Sequence, residues 1–249
     1  LKDLGDDRSV EAFVDEVTHL VRSQVAAVLG NVLLVFPAAL GLALLFAQAF
    51  GRPAISVGQA EHVFESLHLL GPSLFFAAFT GVLLFASSIF AGWTENWFVL
   101  RRLDSAMRYN PSVTGLLGVE RAGRWAHFMR NNISGFASNI SLGFMLGLIP
   151  PIMAFFSLPL EVRHVTLSAG QLAAASVAYG VQTVFMPAFW WAVAAIPLIG
   201  ALNLGVSFYL AYKLALRAHN VSGVQRAHIH QAIWARWRHR PLSFFIPAG

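Results

Sequence analysis

The sequence predicts an all-α integral membrane protein, a polytopic helical bundle with four full spans plus one re-entrant or in-plane helix. Hydrophobic residues make up 57% of its 249 residues, charged residues only 12%, and the mean hydropathy is +0.62. Four stretches lack Asp, Glu, Lys and Arg altogether: 23–51, 66–94, 131–160 and 165–212. Each stretch exceeds the roughly 20 residues that cross a bilayer core as a helix.

An amphipathic lead-in helix, residues 1–22, is predicted before the first span, because apolar side chains recur at helical spacing between acidic ones. It should run directly into the first span, which Arg52 and Pro53 end. The chain opens at Leu1 without Met, and the lead-in holds six of the twelve acids. We therefore expect the chain to be the C-terminal part of a longer protein, with the missing N-terminal region as one partner.

The transmembrane bundle is predicted over 23–217. Its second span lies near 67–93 and continues as a helix to Leu103. A basic cytoplasmic loop with short helices, 101–130, contains six arginines against two acids. A third span starts near Asn132 and meets Pro150 and Pro151, which lack backbone donors and should kink or end the helix.

The long uncharged stretch 165–212 offers either two crossings or one crossing with a re-entrant segment. Lys and Arg number three in the N-terminal segment, six in the second loop and six from Lys213 onward. Because basic segments stay cytoplasmic, an even number of spans is favoured, with both termini in the cytoplasm. Segment 165–186, rich in Ala, Ser and Gly, is then the re-entrant or in-plane helix. Five spans remain the alternative.

The last segment, 218–249, is predicted to be a basic interfacial helix and tail. Ser222 and Gln225 match a capping box at its start. Ile229, Ile233 and Trp237 share one face, and basic residues lie elsewhere. This pattern is typical of a helix that lies on a bilayer with anionic headgroups, which is the main partner expected.

The first candidate binding pair is Glu95 and Asn96, which lie between Trp93 and Trp97 at the end of a span. An acid at a membrane boundary usually has a partner, so Glu95 is a candidate ligand or proton site. The favoured alternative is an aromatic belt in which Glu95 pairs with Arg101 or Arg102.

The second candidate comprises Glu161, Arg163 and His164, which directly precede the long uncharged stretch 165–212. If 165–186 re-enters the membrane, its N-terminal amides and these basic side chains would attract an anion. The equally weighted alternative is a surface ion pair between Glu161 and Arg163.

The third candidate comprises Asn139 in the third span and Asn203 in the last span. Asn139 is accompanied by Asn132, Ser141 and a Gly-x-x-x-Gly pair, Gly143 and Gly147; Ser207 accompanies Asn203. Small residues let helices approach closely, and amides can then bond across the interface. Packing between helices is the favoured interpretation, and binding the alternative.

Soluble-type catalysis finds no support in the sequence. The chain contains no Cys, which excludes disulfides and Cys nucleophiles. The histidines lack the helical spacing of a metal site, and there is no Walker loop, Gly-x-Gly-x-x-Gly or Gly-x-Ser-x-Gly motif. We therefore predict no catalytic residue, no metal and no cofactor.

Most of 65–249 resembles the C-terminal membrane part of bacterial proteins labelled site-specific recombinases, of gonococcal type. The resemblance rests on the segments AGWTENW (91–97), RRL (101–103), NISG (132–135), LGFMLG (142–147), LPLEVRHVTLS (158–168), NLGVS (203–207) and PLSFF (241–245). It implies a protein of the Gram-negative inner membrane with a longer helical N-terminal region. The family label implies DNA strand exchange, yet no Tyr or Ser has the Arg and His cluster that a recombinase nucleophile needs.

The expected function is non-enzymatic: a conduit for a small polar or anionic solute, or a membrane assembly module that forms homo-oligomers. One alternative is a DNA-associated membrane protein, as the family label suggests, although nucleic acid is not an expected partner. Another is an intramembrane enzyme acting on lipid, with Glu95 or His164 as its base.

Overall fold

The computed structural model describes residues 7–218 and 223–246 and contains no strand within them, which confirms the all-α prediction. Nine α-helices and two short 3-10 helices occupy the described residues. The α-helices are α1 (Asp7–Phe50), α2 (Val57–Ser66), α3 (Ser73–Leu100), α4 (Leu103–Tyr109), α5 (Pro111–Leu117), α6 (Val119–Phe155), α7 (Val165–Tyr179), α8 (Pro187–Ala218) and α9 (Gly223–His239). The 3-10 helices are Gly180–Phe185 and Pro241–Phe244.

Four helices are long and apolar enough to cross a membrane, as predicted. They are Ser9–Phe50, Ser73–Leu100, Val119–Phe155 and Pro187–Ala218. Helix α7 has only 15 residues, so it is about 22 Å long and shorter than a bilayer core of about 30 Å. Within the described residues, the five-span alternative therefore lacks a helix for its extra crossing.

Two helix boundaries differ from the prediction. Helix α3 ends at Leu100, because Arg102 adopts a left-handed conformation with φ of 51° before α4 begins. Helix α6 begins at Val119, well before Asn132, and passes Pro150 and Pro151 to end at Phe155. Much of the predicted basic loop is therefore helical.

The chain forms two compact units, Leu1–Ala78 with Arg163–Gly249, and Phe79–Val162. Helix α7 lies at the centre of the first unit and packs against α1, α2 and α8. A glycine makes this packing close: a Cβ added at Gly200 of α8 would lie 3.0 Å from a methyl of Val28 in α1 and 3.3 Å from one of Val165 in α7. Within α7, the small side chains of Ser168, Ala169, Ala173 and Ala175 are buried, so they too serve protein packing in this unit.

Helix α9 also belongs to the first unit, where it runs along α1 in the same direction. Ile229 is fully buried against Val10 of α1 and Leu216 of α8. Further along, Arg236 forms an ion pair with Asp15 at 2.8 Å, and Arg22 donates a hydrogen bond to the Ser243 carbonyl at 2.7 Å. At Ile229, protein therefore covers the face that was expected to lie on lipid. The predicted capping box at Ser222 and Gln225 lies outside the residues whose side chains are described.

The second unit is built around α6. Helices α4 and α5 pack on its N-terminal part, where Arg130 contacts Asp104 at 2.6 Å. This hydrogen bond lowers the pKa of the Asp104 carboxyl. Further along, the hydroxyls of Ser87 in α3 and Ser138 in α6 lie 3.4 Å apart. Helices α3 and α6 border an apolar groove of about 520 Å³.

Candidate functional site

Asn203 links three helices of the first unit through its buried side chain, which is only 1% exposed. Its Oδ1 accepts a hydrogen bond from the Val165 N–H at 3.0 Å, at the start of α7. Its Nδ2 donates to the carbonyls of Ala77 in α3 and Arg163 before α7, both at 2.9 Å. We call this group the Asn203 junction. It joins α3, α7 and α8 at one point.

The Asn203 junction acts on the part of α7 where an anion site was expected. The first amides of a helix have no intrahelical partner and supply the attraction for anions. His164 occupies the N-cap position without a side-chain capping bond, and Asn203 instead takes the Val165 amide from a different helix. One of the amides that would hold an anion is therefore already bonded, which supports the packing interpretation of Asn203.

The basic residues beside the Asn203 junction are less charged and less open than the sequence suggested. The Arg163 side chain is buried, with 7% exposure, and His164 is half-buried. Burial lowers the pKa of the His164 imidazole, which disfavours the charged form of the ring that an anion would need. The ligand roles of Glu161, Arg163 and His164 stay predictions.

Glu95 and Asn96 lie on the exposed surface near the end of α3. Among the described residues, Glu95 makes no ion pair, so the expected pairing with Arg101 or Arg102 is not formed. Both arginines are exposed in the turn after α3. The role of Glu95 and Asn96 as a ligand or proton site stays a prediction, because no described side chain converges on them.

Helix α6 carries an exposed row of small and amide residues, which we call the α6 ridge: Gly135, Asn139, Gly143 and Gly147. Residues four apart lie on the same side of a helix, so these four form a continuous strip. Ideal Cβ atoms at the three glycines would have no neighbour within 4 Å. Asn139 makes no hydrogen bond within the described residues, and none of the 18-residue apolar window of α6 is buried.

At Asn139, the α6 ridge lies on the side of the helix away from α3. The groove between α3 and α6 is lined on α6 by residues that include Ala137, Ser141 and Met145. Asn139 lies about 200° around the helix from Ala137, since each residue turns the helix by about 100°. Asn139 therefore lies opposite the face that α6 turns toward α3, and the three ridge glycines have no neighbour within 4 Å, so the ridge is uncovered within its own unit.

Comparison with known proteins gives one match to a family. The family model described as "SpecificRecomb: Site-specific recombinase" matches residues 1–247. No curated protein and no solved structure matches the chain.

Proposed function

The chain belongs to the site-specific recombinase family, and we propose that it serves as a non-enzymatic assembly module that pairs with a second copy through α6 in the bacterial inner membrane. The observation that carries this proposal is the uncovered α6 ridge. An amide exposed to lipid lacks the hydrogen-bond partners that water would give it. Asn139, in the middle of a span, therefore favours a protein partner.

A second copy of α6 suits the ridge because the ridge is self-complementary. An asparagine amide both donates and accepts, so two Asn139 side chains related by a twofold axis can bond each other. The flanking glycines let two backbones approach closely, and an interhelical hydrogen bond in a membrane contributes about 0.6–2 kcal/mol. Packing along the glycines adds to this contribution.

Single cysteines can test this pairing, because the chain contains no Cys of its own. We expect Gly143→Cys to form disulfide-linked dimers in membranes under mild oxidation, since paired ridges would bring the two Cα atoms within disulfide reach. The matched control is Ala137→Cys, on the face toward α3, which should stay monomeric. Equal cross-linking at both positions would contradict the proposal. A Gly143→Cys thiol that resists both cross-linking and maleimide labelling would also contradict the proposal, because another helix of the same chain would then cover the ridge.

The orientation we propose places both termini in the cytoplasm. It is supported by four helices of spanning length and by the nine Lys and Arg of the N-terminal segment and tail. Cysteines introduced at Gly5 and Phe245 should both react with a membrane-impermeant maleimide only after the cytoplasmic side is opened. Labelling of one cysteine in intact spheroplasts would contradict four spans and restore five.

The family label supports a second candidate, association with DNA, through the exposed arginines Arg101 and Arg102 after α3. Strand exchange itself receives no support from Tyr179 or Tyr109. Tyr179 donates its hydroxyl to Glu61 at 2.7 Å, which raises the pKa of the phenol and makes it less reactive. Tyr109 is exposed beside one guanidinium, that of Arg108 at 5.5 Å from the ring centroid. Duplex binding that falls steeply with added salt would favour this candidate over a purely membrane-based role.

Two further functions receive less support. A solute conduit past Asn203 would need that amide to face water, but it is buried and bonded to three backbone groups. An enzyme acting on lipid would need a base such as Glu95 or His164 with neighbouring groups that orient it. Among these candidate functions, assembly through the exposed α6 ridge is therefore the one with the most support.

A further inference from the structure

A cavity of about 420 Å³ lies between α1 and α9, at the end of the first unit that holds the N-terminal part of α1. Its apolar wall includes Val10 and Val14, which are both buried. Three basic side chains of α9, those of His228, Arg236 and His239, also line it, together with Arg240 directly after the helix. The acid among the lining residues is Glu11 of α1. The cavity thus combines an apolar wall with two guanidinium groups and one carboxylate.

The two arginines that line this cavity differ in whether they form an ion pair. Arg236 is fixed by its ion pair with Asp15, and its side chain is 22% exposed. Arg240 is exposed and makes no ion pair with any described residue. Arg236 therefore anchors α9 against α1, while the Arg240 guanidinium can turn toward an anion. A guanidinium binds phosphate oxygens through paired N–H groups.

The cavity also lies at a suitable depth for the membrane surface. Helix α9 runs parallel to α1, and the contacts Arg236 to Asp15 and Arg22 to Ser243 set their register. Arg240 lies between these two contacts along the chain. It is therefore roughly 2–12 Å before Ser23, where the uncharged stretch begins, if α1 is counted at 1.5 Å per residue. If the hydrocarbon core begins at Ser23, a headgroup layer of about 5–8 Å borders it at this level.

We propose that this cavity binds the phosphate of an anionic phospholipid headgroup, with Arg240 and His239 as its principal contacts. The apolar wall would receive the glycerol and upper acyl segments, and Arg236 would hold the site in shape through α1. Clusters of basic residues next to a membrane span attract anionic lipid by about 1 kcal/mol per residue. The site is separate from the α6 ridge, so its test does not depend on the proposed pairing.

The test compares lipid binding by the full chain in detergent micelles, with fluorescent phosphatidylglycerol as the probe and phosphatidylcholine as the neutral reference. We expect Arg240→Gln to weaken phosphatidylglycerol binding about fivefold, which corresponds to about 1 kcal/mol. The control is Arg238→Gln in the last turn of α9; Arg238 is exposed and does not line the cavity. It should change binding less than about twofold. Thermal unfolding of both variants should match that of the unchanged chain.

Several outcomes would overturn the proposal. Equal losses in the two variants would indicate diffuse attraction to a basic surface, and equal binding of phosphatidylcholine would exclude selection for an anion. Binding of water-soluble glycerol phosphate as tightly as phosphatidylglycerol would identify a site for a soluble phosphate compound instead of a lipid. Unchanged binding in a double variant with His239→Gln and Arg240→Gln would remove the site.

Discussion

Replacement of Asn203 with leucine should lower the free energy of unfolding by about 2–5 kcal/mol. The substitution leaves the Val165 N–H and the carbonyls of Ala77 and Arg163 without the bonds that Asn203 makes. Each buried backbone group that loses its partner costs roughly 1–3 kcal/mol, and relaxation of α7 would recover part of the sum. The loss should appear as a lower thermal midpoint in detergent.

The matched control for this variant is Ser207→Ala, one turn further along α8. Ser207 makes no hydrogen bond within the described residues, so its removal should change stability by less than about 0.5 kcal/mol. Hydrogen exchange adds a local measurement, because the amide of Val165 should exchange faster in Asn203→Leu than in Ser207→Ala. An Asn203→Leu protein as stable as the unchanged chain, with the same exchange at Val165, would show that the junction contributes nothing.

The second large effect is expected at the α6 ridge. Gly143→Ile should weaken self-association at least about tenfold, because a branched side chain would hold the two backbones apart and separate the Asn139 amides. Gly143 has no neighbour within 4 Å in its own chain, so the fold should remain intact. Energy transfer between donor-labelled and acceptor-labelled copies in liposomes would measure the loss.

The control for this experiment is Gly205→Ile in α8. Gly205 is also exposed and without a neighbour within 4 Å, but it lies outside the α6 ridge. This variant should retain the energy transfer of the unchanged chain. Equal losses in the two variants would indicate a general effect of bulky residues on spanning helices and would contradict the specific role of the ridge.

The four spans could be predicted because charge-free stretches longer than a bilayer core are distinctive in any sequence. The re-entrant or in-plane helix predicted for 165–186 rested on weaker signals, small and polar residues and the balance of basic loops, and α7 ends earlier, at Tyr179. The Asn203 junction could not be predicted, because its partners lie 38, 40 and 126 residues away along the chain. An asparagine in a span indicates that a partner exists and does not identify it.

The packing of α9 against α1 and α8 could not be predicted from the sequence either. An apolar face was predicted for it, but amphipathic periodicity does not say whether lipid or protein covers such a face. Ile229 proved to be buried by α1 and α8. The sequence did not single out the ion pair between Arg236 and Asp15, because each residue lies on a helix with several other charged residues nearby. The basic cavity was missed because its residues are likewise not distinguished from the other charges of these helices.

The central claim, self-association through α6, is tested most directly by counting copies of the chain in a bilayer. Singly labelled protein, reconstituted at high lipid dilution, would be examined by single-molecule photobleaching. We expect mainly two bleaching steps per spot for the unchanged chain and one for Gly143→Ile. Single steps for the unchanged chain at every lipid dilution, with full labelling, would contradict the claim.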